Sequence, residues 1–387
     1  MRHNVEQVVE EKELVERLNS GKQLRIKYGV DVTSPLLHIG HAVNLWKMRE
    51  FQEHGHKVVF LIGDFTTLIG DPTGRLQARS LRTPEEIEND AKEYINQTTK
   101  ILLDNPDVFE VRRNSEWYSK MELGEFMKLC GKITHAKLIQ REMFQRRIER
   151  GDEVYINELL YPILQGYDSY MLKSDLTIIG SDQLFNELLG RHYQGVFGQD
   201  PQVVMTTIIT PGLDGKEKQS KSLGNFVAIL DSPDEKFGKI MSLPDNLIIA
   251  WYKVYTFTDS KIVEKYEKEL TEGTNPRDIK IKLAHDVVAL YHSQKEAEKA
   301  VENFINVFSN KKNPEEITEL RIKNQELRIM DLLILAGVKS KSEARRLIEQ
   351  GGVKINDEVK KDLEEILNLK DNDVLQIGKR KFFKLKV

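Results

Sequence analysis

Gln23-Leu24-Arg25-Ile26-Lys27-Tyr28-Gly29-Val30-Asp31 is followed, after a loop carrying Pro35, by His38-Ile39-Gly40-His41. The first stretch alternates apolar and polar side chains and runs out near Gly29, as a strand entering a loop does. After His41, Ala42, Leu45, Trp46 and Phe51 recur at helical spacing. Strand, loop and helix form the opening unit of an α/β sheet. Val58-Val59-Phe60-Leu61-Ile62-Gly63 is a short apolar run stopped by glycine, which suits a strand buried on both faces of a parallel sheet. Leu176-Thr177-Ile178-Ile179-Gly180 and Val203-Val204-Met205-Thr206-Thr207-Ile208-Ile209 repeat the pattern. Strands interleaved with helices predict a doubly wound parallel α/β sheet over residues 1–228.

The remaining sequence divides by composition. Residues 83–154 turn helical and charged and read as an insert in the sheet domain; Thr83-Pro84-Glu85-Glu86 supplies an N-cap, a proline at the first helical position and a capping-box glutamate. Ser232-Pro233-Asp234-Glu235 repeats that signal and opens a helical domain over residues 229–320, with Leu243, Ile248, Trp251 and Tyr252 as core. Asn310 to Gln325 is polar and reads as a linker or weak helix. Residues 328–387 form a small α+β unit: Ile329, Leu332, Leu333 and Leu335 share a face, Ser340 opens a helix that Gly351-Gly352 stops, and strands follow at Val353 and Val374.

The 387 residues are 40% hydrophobic and 31% charged, the profile of a soluble globular chain. A single cysteine, Cys130, excludes an internal disulfide framework and a cysteine-rich zinc site. The first residues lack the apolar core of a signal peptide, and no apolar run is long enough to span a bilayer, so the cytoplasm is the expected location. The net charge is −3, yet residues 328–387 carry 14 Lys and Arg against 10 Asp and Glu. A basic tail on an acidic body fits an RNA-binding appendage, with Lys341, Arg345 and Arg346 as candidate contacts; a solvated surface explains the charge alone equally well.

His38 and His41 stand three residues apart at a helix start and so share a face. Free N–H groups and the helix dipole favour phosphate there, and Gly40 leaves the backbone bare to a base or ribose. Far downstream, Lys218-Gln219-Ser220-Lys221-Ser222 lies among Gly212, Gly215 and Gly224. A flexible cationic loop with serine hydroxyls can close over a triphosphate and hold a departing pyrophosphate. Either motif alone is commonly just surface. Together they are what nucleophilic attack on the α-phosphate of ATP requires.

The two motifs resemble the HIGH and KMSKS signatures of class I aminoacyl-tRNA synthetases, with Gln219 where the second usually has Met. Tyr161-Pro162-Ile163-Leu164-Gln165-Gly166-Tyr167-Asp168, Gly180-Ser181-Asp182-Gln183 and Gly70-Asp71-Pro72-Thr73-Gly74 are similar to motifs of the bacterial-type tyrosyl-tRNA synthetase family. The likeness runs from about Leu24 to Asn225, and the C-terminal unit matches that family's RNA-binding appendage of ribosomal-protein type. It implies a Rossmann-like catalytic domain, an α-helical anticodon-binding-type domain and a homodimer joined through the insert. It also implies tyrosine, ATP with Mg²⁺ as its substrate complex, and tRNA(Tyr) as ligands, with no protein-bound metal. By resemblance, Asp71, Tyr161 and Gln165 hold the substrate amino group, Asp168 accepts from the phenol, Asp182 binds ribose with Gln183 nearby, and Gly40, Ser220, Lys221 and Ser222 attend ATP. Tyr161, Gln165 and Asp168 fall at i, i+4 and i+7, one stripe of a helix. Many members carry a tyrosine eleven residues before the first motif histidine. This chain has Lys27 there, as some members do, and Tyr28 would face the opposite side of the strand.

Three other readings share parts of this pattern. A tryptophan-specific relative has the same fold, but the Gln165–Asp168 stretch and the tail argue against it. A non-catalytic RNA-binding paralogue does not need His38, His41 and Lys221. A small-molecule nucleotidylyltransferase does not need the helical domain or the tail.

Overall fold

The computed structural model describes residues 3–32, 36–68, 83–221, 223–308, 318–322, 325–338, 340–356, 358–378 and 381–386. Its first sheet has six strands: β1 (Val5–Val9), β2 (Arg25–Val30), β3 (Lys57–Ile62), β4 (Phe109–Arg113), β5 (Leu176–Gly180) and β6 (Val203–Thr207), in the spatial order β1-β6-β5-β2-β3-β4. β1 pairs antiparallel to β6 and the other neighbours are parallel. This is the doubly wound sheet expected from the sequence. Every residue of β6, and all of β3 after Lys57, is buried, which is why those strands lack alternation.

The strand order explains where a site belongs. From β2 the chain winds outward through β3 to β4, then returns to the other side of β2 to lay down β5 and β6. Strand order reverses between β2 and β5, and ligands of such sheets bind outside the carboxyl ends of the strands at that point. Asp31 and the histidine pair follow β2; Asp182 and Gln183 follow β5.

Several strands were not legible, β1, β4 and β7 (Thr318–Arg321) among them. β4 lies within the stretch read as a helical insert. It is an edge strand with Phe109 buried and Glu110 to Arg113 half-exposed, so its charge hides its pairing with β3. β7 falls where the sequence reads as linker; it runs parallel to the strand Lys381–Lys386 in the tail sheet. The expected Thr83 and Ser232 capping boxes both form, and Ser340 accepts from the Glu343 amide at 3.2 Å.

Contacts group the chain as residues 1–230 with 243–273, and 231–242 with 274–387. Leu243, Ile248, Trp251 and Tyr252 are buried as expected, but with the sheet unit rather than with the later helices. In the second unit, Pro233–Met241, Pro276–Tyr291 and Gln294–Phe308 are helices. The tail has its own core, including Ile329, Leu332, Leu333, Ile348, Val353 and Leu375.

Candidate active site

Backbone hydrogen bonds join the histidine segment to the end of the lysine loop. The Ile39 amide donates to the Val227 carbonyl and the Ile229 amide to the Leu37 carbonyl, both at 2.9 Å, with His38 opposite Ala228 in an antiparallel bridge. The two motifs are thereby held side by side by main chain rather than by long side chains.

His38 is the N-cap of the helix Ile39–Glu53, and its ring centroid lies 3.8 Å from that of His41. Nδ1 of His41 accepts from the His38 amide at 3.3 Å, so in neutral His41 the proton sits on Nε2 and can be donated. Nδ1 of His38 is buried without a protein partner among the described residues. Burial lowers both imidazoles, and the neighbouring positive charges of Lys221 and Lys218 add to it; His41 falls to about 3. Both histidines are therefore neutral hydrogen-bonding groups at physiological pH. A Cβ on Gly40 would stand 2.9 Å from Nδ1 of His38. Glycine here clears space for that ring, a reason beyond the open backbone inferred from sequence.

Lys218 reaches Asp182, with Nζ 2.5 Å from Oδ2. Nζ of Lys221 donates to the Tyr94 hydroxyl at 2.7 Å and lies 5.0 Å from that ring's centroid. Burial lowers Lys221 to about 8, opposed by the charge of Asp90. The Ser220 amide donates to Asn225 Oδ1 at 2.8 Å; Ser222 lies outside the described residues, as does Asp71. Gln219 is buried, donating to the Tyr255 hydroxyl at 2.8 Å and accepting from the Val227 amide at 3.2 Å. The departure from Met is thus a buried anchor for the loop and leaves both lysines in place.

Tyr161, Gln165 and Asp168 line one side of the helix Ile156–Leu172. The Tyr161 hydroxyl donates to Asp31 Oδ2 at 3.0 Å. Gln165 donates from Nε2 to Glu187 at 2.9 Å and accepts from Asn186 at 2.6 Å; the same Asn186 amide donates to Gln183 at 3.1 Å. Asp168 is buried and accepts from Nε1 of Trp117 at 3.0 Å. Burial raises its carboxyl to about 7, while the Lys27 charge and the Trp117 hydrogen bond pull the other way. Asp31, Asn114, Trp117 and Tyr118 were missed from sequence. The last three follow β4, so they became visible only once that strand was placed.

The chain's likeness to known proteins fits this geometry. Residues 19–309 match the family model for class I tRNA synthetases (W and Y), and residues 310–385 match that for the tyrosine–tRNA ligase SYY-like C-terminal domain. The chain belongs to the tyrosine–tRNA ligases. Tyrosine–tRNA ligase of Thermotoga maritima is 44% identical over 387 residues, covering 100% of this chain and 96% of the relative. That of Francisella tularensis is 42% identical, covering 100% and 97%. A C-terminally truncated mitochondrial tyrosyl-tRNA synthetase of Coccidioides posadasii superposes with a TM-score of 0.61 at 24% identity, over 78% of this chain and 89% of that one. Plasmodium falciparum tryptophanyl-tRNA synthetase gives 0.59 at 17%, over 78% and 85%, which reflects the shared fold alone. The full-length relatives and the C-terminal match both favour tyrosine over tryptophan.

Proposed function

We propose that the described residues divide the work of tyrosine–tRNA ligation as follows. The enzyme activates L-tyrosine with ATP and passes it to the 3′ end of tRNA(Tyr). The tyrosine carboxylate attacks the α-phosphate, tyrosyl-adenylate forms and pyrophosphate leaves. A ribose hydroxyl of the tRNA end then attacks the tyrosyl carbonyl, and AMP leaves. Neutral His38 and His41 donate to phosphate oxygens as charge builds, while Lys218 and Lys221 take the charge of the pyrophosphate. Gly40, Ser220 and Ser222 complete the ATP site. Asp182, with Gln183 beside it, takes the ribose, so ATP entry exchanges the Lys218–Asp182 pair for contacts to ribose and phosphate. Mg²⁺ arrives with ATP as part of the substrate. Positioning and electrostatics supply the catalysis, since no step needs a covalent protein nucleophile.

The tyrosine pocket is the Tyr161 helix. Asp168 accepts from the phenol, and Gln165, Tyr161 and Asp71 hold the amino group. The observation that carries this reading is the antiparallel bridge at His38 and Ala228, which sets the histidine pair beside the lysine loop.

Residues 229–320 act as the anticodon-binding-type domain and 328–387 as the RNA-binding appendage. Lys341, Arg345 and Arg346 are exposed on the helix Lys341–Glu349 and contact tRNA phosphates. Replacing all three with alanine leaves tyrosine-dependent ATP–pyrophosphate exchange unchanged and raises the KM for tRNA, with the salt slope of tRNA binding falling by about 1 per lost phosphate contact. Unimpaired charging refutes the tail contact, and absence of tyrosine-dependent exchange in the parent protein refutes the whole assignment.

The enzyme works in the cytoplasm as a homodimer joined through the segment after Thr83. Light scattering gives twice the 44.8 kDa chain mass on this reading; a monomer mass contradicts it.

A further inference from the structure

Lys27 stands where many family members carry a tyrosine that touches the substrate phenol. Its side chain is fully buried, and Nζ lies 2.8 Å from Oε2 of Glu187 and 2.8 Å from Oγ of Ser169. Glu187 is equally buried. Its Oε1 accepts from Nε2 of Gln165 at 2.9 Å, and its Oε2 also accepts from Nε2 of Gln202 at 2.9 Å. A buried ion pair is worth little to stability compared with apolar side chains of the same volume. Its place against the pocket helix therefore needs a reason other than holding the fold together.

The reason lies in the Gln165 amide, which can present either oxygen or NH₂ in a given direction. An ionised carboxylate only accepts. Glu187 therefore takes the NH₂ end of Gln165, leaving Oε1 turned away from it as an acceptor; Asn186 approaches that oxygen at 2.6 Å. A substrate ammonium group needs acceptors and is repelled by an amide NH₂. Lys27 in turn supplies the charge that keeps a buried carboxylate in place. We propose that Lys27 and Glu187 are positioning residues for tyrosine: the pair fixes the orientation of the Gln165 amide so that its oxygen faces the substrate α-amino group. Lys27 thus acts at the amino end of the pocket through Glu187 instead of replacing the tyrosine at the phenol end. The inference rests on the assignment of Gln165 to the amino group.

The test compares two ligands that differ only at the amino group, L-tyrosine and 3-(4-hydroxyphenyl)propionate, by titration calorimetry. Glu187→Gln keeps the shape but can offer Gln165 an N–H, so the Gln165 amide can turn over. The expected result is at least a tenfold loss of affinity for L-tyrosine, with the deaminated ligand unchanged. Equal loss for both ligands, or loss for neither, overturns the proposal, because a merely structural pair would weaken both together. If Glu187→Gln does not fold, Lys27→Met/Glu187→Gln removes both charges at once; the lost Lys27 charge beside Asp168 bears on both ligands alike, so the ratio of the two affinities is read, and an unchanged ratio overturns the proposal. Gln165→Ala separates this idea from the reading beneath it. If Gln165→Ala leaves the ratio of the two affinities unchanged, the Gln165 assignment fails. If it lowers the ratio while Glu187→Gln does not, only the positioning role fails.

Discussion

Lys221→Ala lowers the rate of tyrosine-dependent ATP–pyrophosphate exchange by about 10²- to 10³-fold, the usual loss when one transition-state charge contact is removed. The magnitude follows from where the cation sits. An ion pair at 4 Å is worth about 1 kcal/mol in water but about 4 kcal/mol at the effective dielectric of a partly buried site. Lys221 is half-buried against Tyr94, and burial has already lowered its pKa to about 8. In the proposed role it would therefore meet the pyrophosphate partly desolvated. The loss falls on kcat, because the charge it answers is fully developed only as the α-phosphate bond breaks. The same burial predicts the alkaline side of the pH profile: kcat/KM declines as pH rises through about 8 and Lys221 loses its proton. Neither histidine titrates in that range, since both are held far below it. A Lys221→Ala enzyme within a few-fold of the parent at pH 7 would show that the loop lysine is not a transition-state contact.

Asp168→Asn lowers the preference for tyrosine over phenylalanine in kcat/KM by about 10²-fold, measured by exchange with each amino acid. The free carboxylate is buried among Trp117, Tyr118 and Asn114, with Lys27 contributing attraction from nearby. In the proposed pocket phenylalanine would cover that charge without giving it a hydrogen bond, whereas tyrosine would give it a charge-assisted one. Tyrosine-specific synthetases reject phenylalanine by about 10⁵, a known property of this enzyme family. Asparagine keeps the shape but removes the charge, so phenylalanine pays less and tyrosine gains less. Its pKa of about 7 gives the acid side of the profile: kcat/KM for tyrosine rises as pH rises through about 7 and Asp168 ionises, and this limb disappears in Asp168→Asn. An unchanged preference in the variant would move phenol recognition to another group.

What could be read from the sequence was local. Thr83, Ser232 and Ser340 announce helix starts because a cap involves only the next three residues. β3, β5 and β6 announce themselves as apolar runs because both faces are covered. β4 and β7 do not, since an edge strand shows charge to solvent and its pairing is non-local. The histidine and lysine motifs were legible as a pair, which the fold sets side by side, and strand alternation put Lys27 and Tyr28 on opposite faces. The Lys27 partner was not legible. Lys27 sits on β2 and Glu187 on the helix Leu184–Val196, far apart in sequence, and nothing in the local pattern of either residue marks it as half of a buried pair. Gln219 was likewise readable as a departure, but its reason, the Tyr255 hydroxyl, lies in a helix that the sequence assigns to another domain.

On the proposed assignment, the pocket activates tyrosine and no other amino acid. ATP–pyrophosphate exchange measured with each amino acid in turn tests that directly. The geometry around Asp168, Tyr161 and Gln165 predicts exchange with tyrosine and background rates with phenylalanine and tryptophan. Exchange driven by tryptophan, or by no amino acid at all, would contradict it.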